Sequence, residues 1–177
     1  MLICLVGFMG SGKSYVGERL ATQMNYNFID LDTYIADNEK LTISDIFQKE
    51  GENTFRAKEN KYLKVLFDEK NTVIATGGGT PCFHDNMNLM CQNGITIYLY
   101  ANNTILFSRL KNERAKRPLI ANTTDEELLK IIETKVAERS SIYEQAEAIF
   151  EIKNLEDDKV IDDIYNFLTF YDDEINK

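Results

Sequence analysis

Two kinds of apolar pattern alternate along the chain. Leu2–Val6 is a short run with no charged or amide residue, as expected of a strand buried on both faces. Lys13–Asn25 instead spaces Val16, Leu20 and Met24 as one face of a helix. Asn27–Ile29, Thr72–Ala75, Ile95–Tyr100 and Ala148–Ile152 predict four more short strands. Between them, Asp32–Asn38, Glu52–Asp68, Phe83–Gln92, Asn102–Leu110 and Asp158–Phe170 predict helices; Phe55, Tyr62, Leu63 and Leu66 share one side of the second. Thr42 with Asp45, and Thr124 with Glu127, have capping-box spacing and open two further helical stretches, the latter running to about Ala146. Lys111–Asn122 is polar and basic, holds Pro118, and predicts a loop. Strands separated by helices of this length imply an α/β fold in three layers, a parallel sheet covered on both faces.

Composition bounds this picture. The 177 residues, 44% apolar and 28% charged, suit one domain spanning 1–177. No apolar stretch approaches membrane-spanning length, and Met1–Val6 lacks the basic region and length of a signal peptide. Cys4, Cys82 and Cys91 show no CxxC spacing, so neither a disulfide framework nor a zinc site is expected, and a reducing cytoplasm fits. The net charge of −9 disfavours nucleic acid as a partner. That charge is uneven: residues 109–117 carry +4 and residues 156–177 carry −6, leaving a basic island where an anionic small molecule can be met.

Candidate chemistry begins at Gly7-Phe-Met-Gly-Ser-Gly12-Lys13-Ser14, which fits G-x-x-x-x-G-K-[ST] between a strand and a helix. Glycines there let backbone N–H groups turn towards phosphate oxygens, and the helix N-terminus adds partial positive charge. Lys13 can bridge β- and γ-phosphates and the Ser14 hydroxyl can ligate Mg²⁺. The N-K-x-D of guanine readers is absent, which favours a small kinase over a GTPase switch.

Phe28-Ile-Asp30-Leu-Asp32 follows at the end of the second predicted strand, where open α/β sheets bind ligands. Two apart on a strand, both carboxylates would face one side, one organising Mg²⁺ through water and the other accepting from a substrate hydroxyl. The competing role is structural, with Asp32 capping the next helix. The strand Thr72–Ala75 runs into Gly77-Gly78-Gly79, which lets a ligand approach the backbone closely. It lacks a strand-end Asp, which turns the metal role towards Asp30.

Taken in order, Gly7–Ser14 with Val16-Gly17, the Asp30/Asp32 segment, Gly51-Glu52 with Phe55-Arg56, Ile74-Ala-Thr-Gly77-Gly78-Gly79 and Arg117-Pro118-Leu119 resemble the shikimate kinase family over roughly residues 1–168. The resemblance implies transfer of the ATP γ-phosphate to the 3-hydroxyl of shikimate with Mg²⁺, a step towards chorismate and the aromatic amino acids. It implies a nucleoside-monophosphate-kinase-like fold with sheet order 2-3-1-4-5. A lid at about 111–123 and an acceptor-binding helical region at about 32–68 go with it. By the same resemblance Lys13, Asp32 and Arg117 are catalytic: Lys13 neutralises phosphoryl charge, Asp32 orients or deprotonates the acceptor hydroxyl, and Arg117 closes from the lid. Gly10, Ser11, Gly12, Ser14, Tyr15 and Arg109 join Lys13 and Arg117 around ATP, with Arg109 a candidate to stack on adenine. Arg56 and Arg139 bind the shikimate carboxylate, Gly77, Gly78 and Gly79 line the acceptor, Ser14 holds Mg²⁺, and Asp30 reaches it through water. Arginine's planar fork suits a carboxylate, and Glu59, three residues after Arg56 on a predicted helix, is placed to hold it. A monomer is expected. The alternatives are a kinase of this fold acting on another polyol acid, such as gluconate, and a nucleotide-dependent switch. His84, the only histidine, is expected at the surface.

Overall fold

The computed structural model describes residues 1–114, 120–154 and 158–175. Strands β1 (Leu2–Val6), β2 (Asn27–Asp30), β3 (Thr72–Ala75), β4 (Ile95–Tyr100) and β5 (Ala148–Glu151) form one parallel sheet in the order β2-β3-β1-β4-β5. The wholly apolar β1 takes the centre, where nothing need be hydrated: Leu5 pairs with Ala75 on one side and Ile97 on the other. The expected sheet order is the observed one.

Helices α1 (Lys13–Met24), α2 (Leu31–Glu39), α3 (Ile43–Leu66), α4 (Asn86–Asn93), α5 (Asn103–Lys111), α6 (Asp125–Tyr143) and α7 (Lys159–Ile175) cover the sheet. The sheet splits the core in two. On one face α1 and α7 bury Val16, Leu20, Ile161, Ile164 and Leu168 against Ile3, Leu5 and Val73. On the other, α2 to α6 bury Leu31, Phe55, Leu63, Met90, Leu110 and Ile132 with Cys4, Val6 and Ile74. The neighbouring strands β1 and β3 therefore send their next α-helices, α1 and α4, to opposite faces. A crevice opens beyond their carboxyl ends, where sheets of this kind bind ligands.

Local chemistry sets the boundaries. Thr124 accepts from the Glu127 N–H at 3.2 Å while the Glu127 carboxylate accepts from the Thr124 N–H at 2.8 Å, the reciprocal cap expected for α6. The Thr42 hydroxyl oxygen accepts from the Asp45 N–H at 3.1 Å, and the hydroxyl donates to the Asp45 carboxylate at 2.7 Å. Gly51 (φ 83°, ψ 167°) breaks α3 into the two helical stretches expected, one opening at Thr42 and the other at Glu52, in a conformation that glycine accepts readily. Three helix ends differ from expectation by three residues or more. α7 runs to Ile175, past Phe170. α4 begins at Asn86 rather than Phe83, because His84 and Asp85 take positive φ in a turn. α6 stops at Tyr143, before Ala146. His84 is exposed, as expected, and Cys4, Cys82 and Cys91 are free thiols. No helix among the described residues is long and apolar enough to cross a membrane.

Candidate active site

β1 runs straight into the glycine loop that precedes α1. Gly12 stands at the N-terminus of α1 with φ 102°, which side-chain-bearing residues rarely adopt. Lys13, the first residue of α1, is buried, and its Nζ donates to the Gly7 and Phe8 carbonyls at 2.7 and 2.9 Å. The Ser11 hydroxyl is buried and finds no hydrogen-bond partner among the described residues. Arg109 of α5 straps this loop to the end of β5: its guanidinium donates to the Gly10 and Ser11 carbonyls at 3.0 and 3.3 Å and to that of Ile152 at 3.5 Å.

The two acids divide their work differently from the strand geometry expected of them. β2 ends at Asp30, and Asp32 lies in the first turn of α2. The pair straddles a strand-to-helix junction, and both residues still line one cavity. Asp30, not Asp32, caps the helix: one oxygen accepts from the Thr33 N–H at 3.2 Å, the other from the Ser14 hydroxyl at 2.6 Å. Asp32 is thereby spared capping duty, and its Oδ1 is buried without a hydrogen-bond partner among the described residues. Burial, reinforced by Glu59 and Asp30, pushes the Asp32 carboxyl up to about 6 against the pull of Lys13 and Arg56.

Arg56 and Glu59, one turn apart on α3, form the predicted pair at 2.5 Å, and both are buried. Glu52 accepts two further bonds from Arg56, at 3.0 and 3.2 Å, and the Phe83 ring lies 4.4 Å from the guanidinium carbon. Three of the five guanidinium N–H groups are thus engaged and two are left for a ligand. Thr80, in the short 3₁₀ turn Thr80–Cys82, donates its hydroxyl to Glu59, and burial works against the charge of Glu59 while Arg56 and Thr80 favour it. The glycine stretch lies on this cluster. A Cβ at Gly79 would stand 2.7 Å from both Nη atoms of Arg56. Gly79→Ala is therefore expected to push Arg56 aside, raising the Michaelis constant for a carboxylate acceptor roughly tenfold or more with little change for the nucleotide. Steady-state kinetics with each substrate varied in turn checks this. From α6, Arg139 donates to the Gly78 carbonyl at 3.4 Å and the buried Tyr143 hydroxyl donates to the same oxygen at 2.5 Å.

Ten of the residues expected from the sequence line one cavity of about 530 Å³: Gly10, Gly12, Lys13, Ser14, Tyr15, Asp30, Asp32, Gly77, Gly78 and Arg109. Ser11 is buried beneath the loop. Arg56, Arg139 and Gly79 stand outside the cavity lining, at and behind the glycine stretch that closes one end of it. Arg117 lies outside the described residues. Sequence reasoning missed Glu52, Thr80 and Tyr143. Glu52 and Tyr143 each carried a signal, four residues from a predicted arginine (Arg56 and Arg139), whereas Thr80 meets the site through a long-range contact with no fixed spacing.

A phosphate-binding loop with a buried lysine shares a cavity with an acid held short of hydrogen bonds, which defines a P-loop phosphotransferase acting on a small hydroxylated acceptor. A family model described as shikimate kinase matches residues 9–169. The chain belongs to the shikimate kinase family. It is 40% identical over 159 residues to a shikimate kinase of Phocaeicola vulgatus, covering 90% of this chain and 91% of that one. Among solved structures, it is similar to the shikimate kinase of Bacteroides thetaiotaomicron, with TM-score 0.89, 37% identity and 97% of each chain covered. The shikimate kinase of Acinetobacter baumannii in complex with shikimate gives TM-score 0.84 at 32% identity, covering 95% of this chain and 93% of that one.

Proposed function

We propose that the chain transfers the γ-phosphate of ATP to the 3-hydroxyl of shikimate, giving shikimate 3-phosphate and ADP, on the way to chorismate and the aromatic amino acids. The observation that carries this reading is the unpartnered Asp32 Oδ1 in the cavity that also holds Lys13 and the phosphate-binding loop. An acceptor hydroxyl supplies the hydrogen bond Asp32 lacks. With its carboxyl at about 6, Asp32 is ionised at neutral pH yet more basic than an ordinary carboxylate, so it can take the hydroxyl proton as the O–P bond forms and ADP leaves.

Lys13 exchanges its loop carbonyls for phosphoryl oxygens, and the Ser11 hydroxyl is a spare donor beside it. The two unused Arg56 donors and the loosely held Arg139 take the shikimate carboxylate. Arg117 supplies a further cation for the transferring phosphate. Ser14 and Asp30 are hard oxygen donors side by side in the cavity, the chemistry that suits Mg²⁺. Ser14 would hold the ion directly and Asp30 through water, and the ion when bound neutralises phosphate charge. The same reading takes residues 1–177 as one domain working as a cytoplasmic monomer without nucleic acid. Its support is that one chain supplies both the nucleotide and acceptor residues, its cysteines are free thiols, and its charge is −9.

A coupled ADP-release assay tests this directly. Release should require shikimate and not be supported by gluconate; preference for gluconate, or acceptor-independent hydrolysis as the main activity, would overturn it. Arg139→Ala should raise the shikimate Michaelis constant roughly tenfold to a hundredfold, the range of one charged hydrogen bond, with ATP little affected. An unchanged shikimate constant removes Arg139 from the site.

A further inference from the structure

We infer that Tyr143 is a positioning residue of the acceptor site: its hydroxyl holds the Gly78 carbonyl so that Arg139 is free to leave that carbonyl for the substrate carboxylate. The inference rests on the functional reading above and adds a residue to it.

Gly78 O receives two donors from α6. Arg139 and Tyr143 are four residues apart, so both project from one face of that helix onto the glycine stretch. They are unequal. The phenol stands at 2.5 Å and the guanidinium at 3.4 Å, close to the limit of a hydrogen bond. The Tyr143 side chain is fully buried, with its ring 5.2 Å from that of Tyr98 on β4, whereas Arg139 is only half-buried. The carbonyl thus has one fixed donor and one that can go. A half-buried carbonyl stripped of both would lose both of its protein partners, which carries a cost. With Tyr143 in place, Arg139 can turn to a carboxylate without leaving that oxygen unpaired.

The held carbonyl also aims a donor. The chain has no cis peptide bond among the described residues, so in the planar Gly78–Gly79 unit the N–H of Gly79 points opposite to the carbonyl that Tyr143 grips. That N–H belongs to the residue lying against Arg56. One phenol on α6 therefore orders the peptide between the two arginines assigned to the acceptor carboxylate. Glycine at 78 lets this peptide sit close to the phosphate-binding loop, since a Cβ there would stand 2.9 Å from the Met9 nitrogen.

The test is Tyr143→Phe in the full chain, alone and combined with Arg139→Ala. Phenylalanine keeps the ring and leaves Arg139 as the sole donor to Gly78 O, which ties the arginine down. The shikimate Michaelis constant should rise roughly five- to tenfold, with that for ATP within about twofold of wild type. In the Arg139→Ala background the same change should have less than half that effect, because no arginine remains to be tied down. Equal shifts for both substrates, an unchanged shikimate constant, or the same factor in both backgrounds would overturn the inference. Should the phenylalanine variant fail to fold, 4-aminophenylalanine at 143 places a weaker donor on the same ring. A rise of roughly twofold or more in the shikimate constant alone supports the inference, and none opposes it. Failure of the wild-type protein to turn over shikimate would instead sink the functional reading, and this inference with it.

Discussion

Lys13→Ala is expected to lower kcat by about three orders of magnitude or more, with a much smaller change in the Michaelis constant for ATP. Lys13 is the first residue of α1, buried, and held by two carbonyls of the loop it follows. A cation fixed in that position needs little rearrangement to meet charge developing on a transferring phosphoryl group. Removing one preorganised oxyanion donor typically costs 10²–10³ in rate, and a full charge in a sheltered site is worth more. The loop should survive the substitution, because Arg109 still ties the Gly10 and Ser11 carbonyls to the end of β5. Single-turnover and steady-state ADP formation would measure the loss, and circular dichroism the fold. A variant keeping a tenth of wild-type kcat would remove Lys13 from the chemistry.

Asp32→Asn should be nearly as damaging, by roughly two to three orders of magnitude in kcat, because an amide cannot take the acceptor proton. Its pH behaviour distinguishes this role from simple binding. The Asp32 carboxyl in the folded protein stands at about 6, above its ordinary 3.8. Catalysis needs the ionised form, so kcat/KM of the wild type should fall about tenfold per pH unit below that point. Stability moves the other way. Between the unfolded and folded values the native state binds the proton more tightly, so this group's contribution to stability falls as pH rises through the window and is absent at neutral pH. Asparagine carries no charge to bury. Near neutral pH the variant should therefore melt higher than wild type by a few degrees, and the gap should close below about pH 4. Thermal melts across pH check this. A variant that is both inactive and less stable at neutral pH would show that Asp32 is held by structure rather than strained for function.

Much of this site was legible because its chemistry is local. The phosphate-binding loop is eight consecutive residues between a strand and a helix, and the Arg56–Glu59 pair follows from one helical turn. The sheet order followed from family resemblance, while the alternation of apolar runs with helical spacing predicted the α/β class. The readings that missed share a cause, which is competition for backbone groups. Asp30 won the cap because it is the last strand residue and meets Ser14 across the crevice, and periodicity does not say where a strand ends. The left-handed turn at His84 and Asp85 displaced a helix boundary in a segment where the apolar pattern was otherwise sound. Thr80 reaches the site only through folding, from 21 residues beyond Glu59.

The division of the core by the sheet has an evolutionary consequence. The acceptor side chains Asp32, Arg56 and Arg139 hang from α2, α3 and α6, all on one face. Lys13 and Ser14 belong to α1, which packs on the other face with α7. Descent with a new acceptor can proceed by redecorating α2, α3 and α6, while α1, with Arg109 of α5, keeps its grip on the nucleotide. A scaffold partitioned in this way can diversify its substrates without relearning how to hold ATP.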